Sequence, residues 1–424
     1  LSKFISFGVH PVSHHYLLPG EQFNPNSNIP LTLCQCGICG TIQLKETVDK
    51  SCFRVRFPWV KAKEPETHLD DLVKKIISLP GINTNSLIWG LSYKDKTTVE
   101  RFRKFGFTNS YIMDYATLFD SKDQIYNVAI IQSFISESKI EELQKTFGTP
   151  KIVICRHLLE HAHNTSNFLA AMKRLVSGGS YVVLEIPECS RLINNLDYTM
   201  LWEEHITYFT DSTLLNAVRM NGMDIVHAEI FPYLYEDCLI LILKDNEQNN
   251  ESLELKEKIN ENIQNFNRYA VSLKDVKEKI SSIFNKIKSK NQRVAFYGSG
   301  HIASTFINIF NLSEYIEFVI DDDRNKEAAK AFEKRYLAVW FRKSAKNLLD
   351  PTPTGSSGLT NQEAAIRAKE RLEEVEEAMT YTQLNVVISV CVDHKPIGQC
   401  EMKRRRYRYL VEGLDEIAHK LRLS

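Results

Sequence analysis

The sequence contains 424 residues, of which 43% are hydrophobic and 25% are charged, a composition typical of a soluble globular chain with two or three domains. Its 53 Lys and Arg residues balance 53 Asp and Glu residues, so the formal net charge is +0. Binding to nucleic acid or to anionic lipid needs a basic surface, so neither is expected as the main partner. No apolar run approaches the roughly 20 residues that span a bilayer, and polar residues interrupt the N-terminal run, which argues against a signal peptide. The nine cysteines are too few for a disulfide scaffold, which favours a reducing, cytoplasmic setting.

The first half of the chain alternates between short apolar runs and amphipathic stretches. Residues 1–65 are irregular and hold the only cysteine cluster, LCQCGICG, whereas residues 67–80 have helical periodicity that stops at Pro80. The alternation that follows, up to about residue 244, predicts an α/β fold with a doubly wound parallel sheet. The runs FPYLY and CLILILK near its end predict a closing antiparallel pair. The expected strands are Ser86–Trp89, Ser110–Met113, Val128–Gln132, Lys151–Cys155 and Tyr181–Ile186.

The second half begins with a charged segment, residues 245–291, that lacks Gly and Pro and predicts a long exposed linker helix. A new strand–turn–helix unit then starts at RVAFYGSGHIASTFINIF, with EFVIDDD as its next strand and LNVVISVC as a later one. The sequence therefore predicts two doubly wound Rossmann-like domains, at 66–244 and 292–424, after a small N-terminal lid at 1–65.

The most informative segment is KIVICRHLLEHAHNTSNFLAAMKRLVSGGSYVVLEIPE, residues 151–188. It resembles class I methyltransferases, whose fourth strand precedes an xHxLEH turn and, later, a PGG turn and a strand with an acidic end. SGG replaces PGG in this chain. The resemblance implies that S-adenosylmethionine is the cofactor and that Arg156 and His157 flank it.

The same residues allow a second interpretation. His157, Glu160 and His161 fit the HxxEH pattern of a zinc protease, in which two His on one helix chelate the metal. A protease does not explain the strand before the pattern or the Gly-Gly turn and strand after it. Packing or capping of a helix is a third interpretation of these His residues.

The block YTMLWEEHITYF narrows the resemblance to sugar C-methyltransferases, which carry a Y-x-E-H-x-x-Y-F pattern here. Trp202 stands where that family has Tyr. The resemblance implies that His205 is the base that removes a proton next to a ketone, with Glu204 as its partner. Tyr208 is expected to contact the substrate or its enolate, and Tyr198 and Trp202 to bind substrate. An aromatic cluster with an ordinary His is the alternative.

The N-terminal block PLTLCQCGICGTIQL resembles the second half of the zinc-ribbon lid of the same family. Cys36 and Cys39 form a CxxC half-site for structural zinc. The family has a second CxxC upstream, which this chain lacks, so His10, His14 and His15 or preceding residues are expected to complete the site. A lid without metal remains the alternative.

The expected donor loop contains a single glycine. Gly90 and Ser92 follow the first strand, and Asp114 ends the second, where an acid that binds the donor ribose is expected. The family has a Gly-rich turn at this position. The sparse loop therefore leaves open a domain that no longer binds the donor.

The turn FYGSGH resembles the YGA-type turn of the family's C-terminal domain, which completes the substrate cleft. Tyr297, Gly298 and His301 are therefore expected to bind substrate. The same GxG, with Gly300, is a weak signal for a nicotinamide dinucleotide.

These patterns together predict an S-adenosylmethionine-dependent methyltransferase that C-methylates a nucleotide-linked keto-sugar through an enolate, with structural zinc left open. Two alternatives stand beside it. One is a catalytically degenerate relative that binds a nucleotide-sugar or a partner protein, and the other is a nicotinamide-dependent oxidoreductase.

Overall fold

The computed structural model describes residues 3–12, 22, 28–53, 64–113, 127–233, 235–246, 253–298 and 300–320. The chain divides into two compact units, the first formed by Leu1–Asn194 with Met200–Ser272 and the second by Asn195–Thr199 with Leu273–Ser424. The strands are β1 (Lys3–His10), β2 (Ile29–Gln35), β3 (Ile42–Leu44), β4 (Ile88–Gly90), β5 (Ser110–Ile112), β6 (Ile152–Arg156), β7 (Tyr181–Glu188), β8 (Thr207–Tyr208), β9 (Met223–Phe231), β10 (Asp237–Asp245), β11 (Val294–Tyr297) and β12 (Ile316–Ile320). The α-helices are α1 (Leu69–Ile77), α2 (Lys96–Arg103), α3 (Val128–Ile131), α4 (Glu137–Phe147), α5 (Thr165–Ser177), α6 (Ser190–Asn194), α7 (Asp211–Met220), α8 (Leu253–Ser289) and α9 (His301–Ile309). Short 3-10 helices lie at Lys50–Phe53, Tyr93–Asp95, Gln132–Phe134, Leu159–His161 and Ser313–Tyr315.

The first unit is built on a six-stranded sheet in the order β5-β4-β6-β7-β10-β9. Strands β5, β4, β6 and β7 are parallel, and β10 runs antiparallel between β7 and β9. The predicted fold class, α/β with a mainly parallel central sheet, is confirmed. Because the chain leaves β4 toward β5 and returns on the other side as β6, the topological switch point lies between β4 and β6.

The apolar runs of this sheet are continuous because both of its faces are covered. On β6, Ile152 and Ile154 pack in one cluster with residues of α1 and α2, whereas Val153 and Cys155 pack in the other cluster with residues of α4, α5 and α7. This two-sided burial explains why the strands could be predicted from apolar runs without alternation.

Two predictions about secondary structure are wrong in detail. The run Val128–Gln132, predicted as a strand, forms the helix α3 and the start of a 3-10 turn. A short apolar run does not distinguish a buried strand from a buried helix, and here the Asn127 side chain caps the helix by accepting from the backbone N–H of Ile130 at 3.2 Å. The closing antiparallel pair exists, but its first strand is β9, which ends at Phe231 instead of continuing through FPYLY.

The N-terminal segment forms a separate antiparallel sheet in the order β1-β2-β3-β8. Strand β8 comes from the block that carries His205, and it pairs with β3 through Ile42 opposite Tyr208. The backbone N–H of Leu44 also donates to the carbonyl of Ile206 at 2.9 Å. The segment predicted as a lid is therefore hydrogen-bonded to the candidate catalytic block.

Helix α8 is 37 residues long, as the charged segment predicted, but it is not exposed on all sides. Phe266 and Tyr269 are fully buried in the first unit, and the Asn262 side chain donates to Thr210 Oγ1 at 2.8 Å. None of the described helices is both long and apolar enough to cross a membrane.

In the second unit, β11, α9 and β12 form the predicted strand–turn–helix–strand unit, with the two strands parallel. Gly298 has φ +96°, a backbone conformation that favours glycine. The later strand predicted at LNVVISVC lies outside the described residues.

Candidate active site

The turn after β4 is held by its own side chains. Asp95 accepts a hydrogen bond from the Ser92 N–H at 2.7 Å and another from the Arg156 N–H at 2.9 Å, and the Ser92 hydroxyl accepts from Lys94 N–H at 3.1 Å. Burial raises the pKa of Asp95 to about 7, against the opposing charge of Arg156. Asp95 thus joins the ends of β4 and β6 at the switch point.

Gly90 is required here for packing. A Cβ atom at this position would lie 2.6 Å from Ile112 Cδ1 and 2.8 Å from Asp95 Cβ, which real contacts do not allow. The other residue expected to meet the donor, Asp114, lies outside the described residues.

Arg156 lies at the end of β6 and forms a two-pronged ion pair with Glu185 of β7, at 2.6 and 2.9 Å. A third N–H of Arg156 donates to the carbonyl of Lys94 at 2.9 Å. Burial alone would raise the pKa of Glu185, but Arg156 and the hydrogen bond from His157 hold it well below the usual range. The Arg156 guanidinium is therefore occupied by partners within the protein.

His157 lies between two buried carboxylates. Its Nε2 is 3.1 Å from Glu185 Oε1 and its Nδ1 is 3.3 Å from Glu160 Oε1. Although burial favours the neutral ring, the charge of Glu64 and the neighbouring side chains of Cys238, Glu160 and Glu185 hold the pKa of His157 well above its usual value. The ring is therefore an imidazolium near neutral pH.

The zinc-protease interpretation is wrong. His157 has φ +50° and precedes a 3-10 helix that contains only Leu159–His161, so His157 and His161 do not share a helical face. His157 faces Glu185, whereas His161 lies near His205.

His205 lies in a buried cluster of rings. Its ring centroid is 4.7 Å from that of His161 in an edge-to-face arrangement and 5.9 Å from that of Trp202, which stacks on it. Nδ1 of His161 donates to the carbonyl oxygen of Glu204 at 3.1 Å. Burial, and next the charge of His161, lower the pKa of His205 to about 3, while Glu160 and Glu204 oppose this shift. His205 is therefore neutral near pH 7 and has a lone pair available to accept a proton.

Tyr208 is engaged with the backbone of its own loop. Its hydroxyl donates to the carbonyl of Trp202 at 2.6 Å and accepts from the Trp202 N–H at 3.1 Å. Burial raises the pKa of Tyr208 well above its usual value, so the phenol stays protonated. The hydroxyl closes the loop that presents His205.

Four residues at these strand ends were not among the predicted site residues: Asp95, Glu160, His161 and Glu185. Glu185 had a recognisable signal, since a charged residue inside the apolar run YVVLEIP must find a partner when both sheet faces are buried. Glu160 and His161 are part of the HxxEH pattern, but the sequence alone does not show that they lie near His205.

The expected substrate residues divide between the two units. Trp202 belongs to the first unit, with His205. Tyr198, Gly298 and His301 belong to the second, where Tyr198 is fully buried with its ring centroid 6.5 Å from that of Phe310. A Cβ atom at Gly298 would meet nothing within 4 Å, so that turn is open. The side chain of Tyr297 lies outside the described residues.

Cys36 and Cys39 form a tight turn between β2 and β3. Cys36 N–H donates to the carbonyl of Thr41 at 2.9 Å, and Gly40 N–H donates to the carbonyl of Cys36 at 3.0 Å. Hydrogen bonds from the backbone of Cys39 and Ile38 lower the pKa of Cys36, despite opposing burial. Within the described ranges, no third His, Cys or carboxylate completes a metal site with this pair, and His14 and His15 lie outside those ranges.

Comparison with known families matches both halves of the chain. Residues 95–228 match the model of a methyltransferase domain, and residues 244–332 match that of a C-methyltransferase C-terminal domain. The C-methyltransferase NovU of Streptomyces niveus is 19% identical over 224 residues, which are 52% of this chain and 53% of NovU. The chain thus spans about half the length of the curated relative that it matches.

Solved methyltransferases resemble part of the chain at low similarity. One is the 1,6-didemethyltoxoflavin-N1-methyltransferase of Burkholderia thailandensis, at 9% identity and a TM-score of 0.28, covering 43% of this chain and 78% of that one. Another is an S-adenosylmethionine-dependent methyltransferase of Clostridium acetobutylicum, at 8% identity and a TM-score of 0.30, covering 44% of this chain and 95% of that one. This similarity adds nothing to what the strand order establishes.

The matched methyltransferase domain lies on the doubly wound sheet and includes the residues around β6 and β7 that the sequence resemblance singled out. The chain therefore contains a methyltransferase domain at residues 95–228. The segment that follows it, residues 244–332, is similar to the C-terminal domain of C-methyltransferases.

Proposed function

We propose that this protein transfers a methyl group from S-adenosylmethionine to a carbon atom next to the ketone of a nucleotide-linked sugar. The observation that carries the proposal is His205, a buried and neutral imidazole tied to the carboxyl end of β6 through the 160–161 turn. Carbon methylation requires removal of a proton from that carbon, and a neutral imidazole has a lone pair that can accept it. Glu160 and Glu204 favour the charged ring that results.

The donor is assigned to the switch point between β4 and β6, the usual ligand position in such sheets. The residues there fit a cationic donor because carboxylates outnumber cations around the crevice. The carboxylates are Glu64, Glu66, Glu160 and Glu185, and the cations are Lys94, Arg156 and His157. When bound, S-adenosylmethionine supplies an electrophilic methyl group on a sulfonium sulfur.

The residues predicted to bind the cofactor have different roles: some shape the donor site and others contact the donor. Arg156 and His157 shape the crevice wall, because their polar atoms are paired internally. Backbone near Gly90 and Ser92 and the side chain of Asp114 are the positions assigned to direct contact with the donor.

The acceptor side is assigned to the loop from Trp202 to Tyr208. Trp202 offers an aromatic face next to His205, and Glu204 supplies negative charge near the same ring. Tyr208 holds the loop closed through the Trp202 backbone, so its role is positioning. The substrate contacts predicted for Tyr198, Tyr297, Gly298 and His301 of the second unit stay predictions, and the turn at Gly298 leaves space for a ligand.

Structural zinc at Cys36 and Cys39 is a further part of the proposal. The lowered pKa of Cys36 favours the thiolate that zinc requires, and the tight turn presents both sulfurs on one short loop. Replacing both cysteines with Ser should reduce the zinc that co-purifies with the protein, as measured by mass spectrometry. Seven described cysteines are free thiols, which supports a working place in a reducing compartment such as the cytoplasm.

The experiment that tests the function has two stages. Calorimetric titration should show binding of S-adenosylmethionine and S-adenosylhomocysteine, and a screen of nucleotide-linked keto-sugars should then reveal methyl transfer. His205→Ala should lower turnover by roughly 10²-fold or more and leave donor affinity unchanged. His227→Ala, on the partly exposed strand β9, is the matched control and should keep full activity.

A folded sample that binds neither form of the donor would refute the proposal. It would favour the alternative of a degenerate relative that binds a nucleotide-sugar or a partner protein. Full turnover by His205→Ala would remove His205 as the base while leaving the methyltransferase assignment intact.

A further inference from the structure

The carboxylate of Glu160 is buried among imidazoles. The residue is 2% exposed, and neither of its carboxylate oxygens makes a hydrogen bond with the described residues. Its nearest charged neighbour is Nδ1 of His157, 3.3 Å from Oε1, which is an ionic contact outside hydrogen-bond alignment. Burial raises the pKa of Glu160, but the contact with His157 and the charges of His161, His157 and His205 outweigh burial and hold this pKa below its usual value. The carboxylate is therefore ionised, and its partners are imidazoles.

The carboxylate faces the two imidazoles of the acceptor side. One ligand atom each of Glu160, His161 and His205 lie within 4.8 Å of one another. Two hydrogen bonds fix this geometry: Ile206 N–H donates to the carbonyl of Glu160 at 2.7 Å, and His161 Nδ1 donates to the carbonyl of Glu204. Because Ile206 adjoins His205, the backbone holds the Glu160 turn and the His205 loop in register.

We infer that Glu160 is a positioning residue for proton transfer, and that its carboxylate stabilises the imidazolium that His205 becomes. This inference rests on the proposed function. In the step concerned, His205 takes the proton from the acceptor carbon, and the electron pair of the C–H bond moves into the enolate. The enolate carbon then takes the methyl group, and the electron pair of the broken S–CH₃ bond stays on sulfur. The proton remains on His205 beside Glu160 until solvent removes it.

The sequence assigns this role to Glu204, the neighbour of His205 in the chain, and the structure favours Glu160. The titratable and charged groups around His205 are His161, Glu160, Glu204 and His157. Of the two carboxylates, Glu160 opposes the lowering of the His205 pKa more strongly than Glu204 does. Glu160 also connects His205 to His157 and through it to Glu185, so buried acids and imidazoles alternate from the donor side to the acceptor side.

The same three side chains, Glu160, His161 and His205, could instead ligate a divalent metal ion. A metal would take the His205 lone pair that the base requires. The two interpretations therefore exclude each other at this nitrogen and can be separated by metal analysis of variants.

The first test compares Glu160→Gln with Glu204→Gln, both of which remove charge and keep shape. The probe is the nucleotide-linked keto-sugar found by the screen, and the readouts are exchange of its α-proton into D₂O without donor and methyl transfer with donor. Glu160→Gln should lower kcat of both by roughly 10²-fold or more, with KM and donor affinity within about twofold. Glu204→Gln should lose less than about tenfold, and Glu160→Asp, which keeps the charge, should recover part of the rate.

Equal losses in the two Gln variants, or a loss in Glu160→Gln that appears only in KM, would overturn the inference. A divalent metal ion that co-purifies with the variant in which both Cys36 and Cys39 are replaced by Ser, and that is lost when His205→Ala is added, would also overturn it and favour the metal.

A second test needs no substrate and separates this inference from the proposed function. His205→Lys places a fixed positive charge where the imidazolium forms. If Glu160 is the stabilising carboxylate, Glu160→Gln should lower Tm more in the His205→Lys background than in the unaltered protein, and Glu204→Gln should show the smaller difference. If Glu204→Gln shows the larger difference in Tm between the two backgrounds, the role of Glu160 is refuted, even where no methyl transfer is found.

Discussion

Arg156 and Glu185 form an ion pair from which water is excluded, with side chains 1% and 0% exposed. Such a pair is weak support for stability by itself, because both charges lose their hydration. Its geometry matters more: the pair joins β6 to β7 and holds Lys94 through its carbonyl, so it fixes the wall of the proposed donor crevice.

Replacing Arg156 with Met should destabilise the first unit by about 3–5 kcal/mol, because Glu185 would remain buried without its main cation. Adding Glu185→Met should recover part of this loss. Urea unfolding followed by tryptophan fluorescence measures both. The control is Lys74→Met, which breaks the exposed pair with Asp71 and should change nothing measurable. If the losses of unfolding free energy caused by Arg156→Met and Glu185→Met simply add in the double variant, the pairing is contradicted.

The protonation of His205 predicts a pH-dependent stability. Its pKa is about 3 in the folded chain and about 6.5 when unfolded, so between these values the unfolded state binds the extra proton. Stability from this residue is therefore complete above pH 6.5 and lost as pH falls toward 3. Relative to His205→Asn, the unaltered protein should lose about 3 kcal/mol between pH 7.5 and 4.5. Urea unfolding measures the difference in unfolding free energy between the two proteins. If that difference stays constant from pH 7.5 to 4.5, the lowered pKa of His205 is contradicted.

Among the secondary-structure elements, helix α3 shows how one side chain can select between a helix and a strand. Its residues are all buried and apolar, and Asn127 both caps the helix and donates from Nδ2 to the carbonyl of Phe53. The neighbouring elements thus decide a conformation that the run VAII leaves open.

Asn127→Ala should lower the unfolding free energy by about 1 kcal/mol through loss of the cap. Asn127→Ser keeps a capping oxygen but cannot donate to Phe53, so it isolates the cap from that hydrogen bond. Chemical denaturation of the three proteins measures the difference. Equal losses for Ala and Ser would mean that the bond to Phe53, and not the cap, matters.

Across the molecule, the N-terminal segment is continuous with the first unit. Strands β1, β2 and β3 share a sheet with β8, and the Leu44, Ile206 and Glu160 backbones are joined in series. The predicted boundary at residue 65 thus falls between two segments that hydrogen bonds connect. The domain boundaries stay predictions.

This connection predicts that the amides of Leu44 and Ile206 exchange with solvent at similar, slow rates, because opening one bond disturbs the next. Hydrogen exchange read by NMR measures both, with Ile154 in the buried strand β6 as reference. If Leu44 exchanges much faster than Ile206 while Ile154 stays protected, the N-terminal sheet opens independently.

The alternation of strands and helices and the two motif blocks follow from the amino-acid sequence alone, because continuous apolar runs, Gly and Pro stops and short motifs are local signals. The same local signals are sufficient to single out Arg156, His157 and His205. Three other features required the folded chain: Glu160 lies beside His205, Tyr208 is bound to its own loop, and β8 completes the N-terminal sheet. Those contacts depend on register between strands and on the protonation of buried groups, and both follow from packing between segments far apart in the chain.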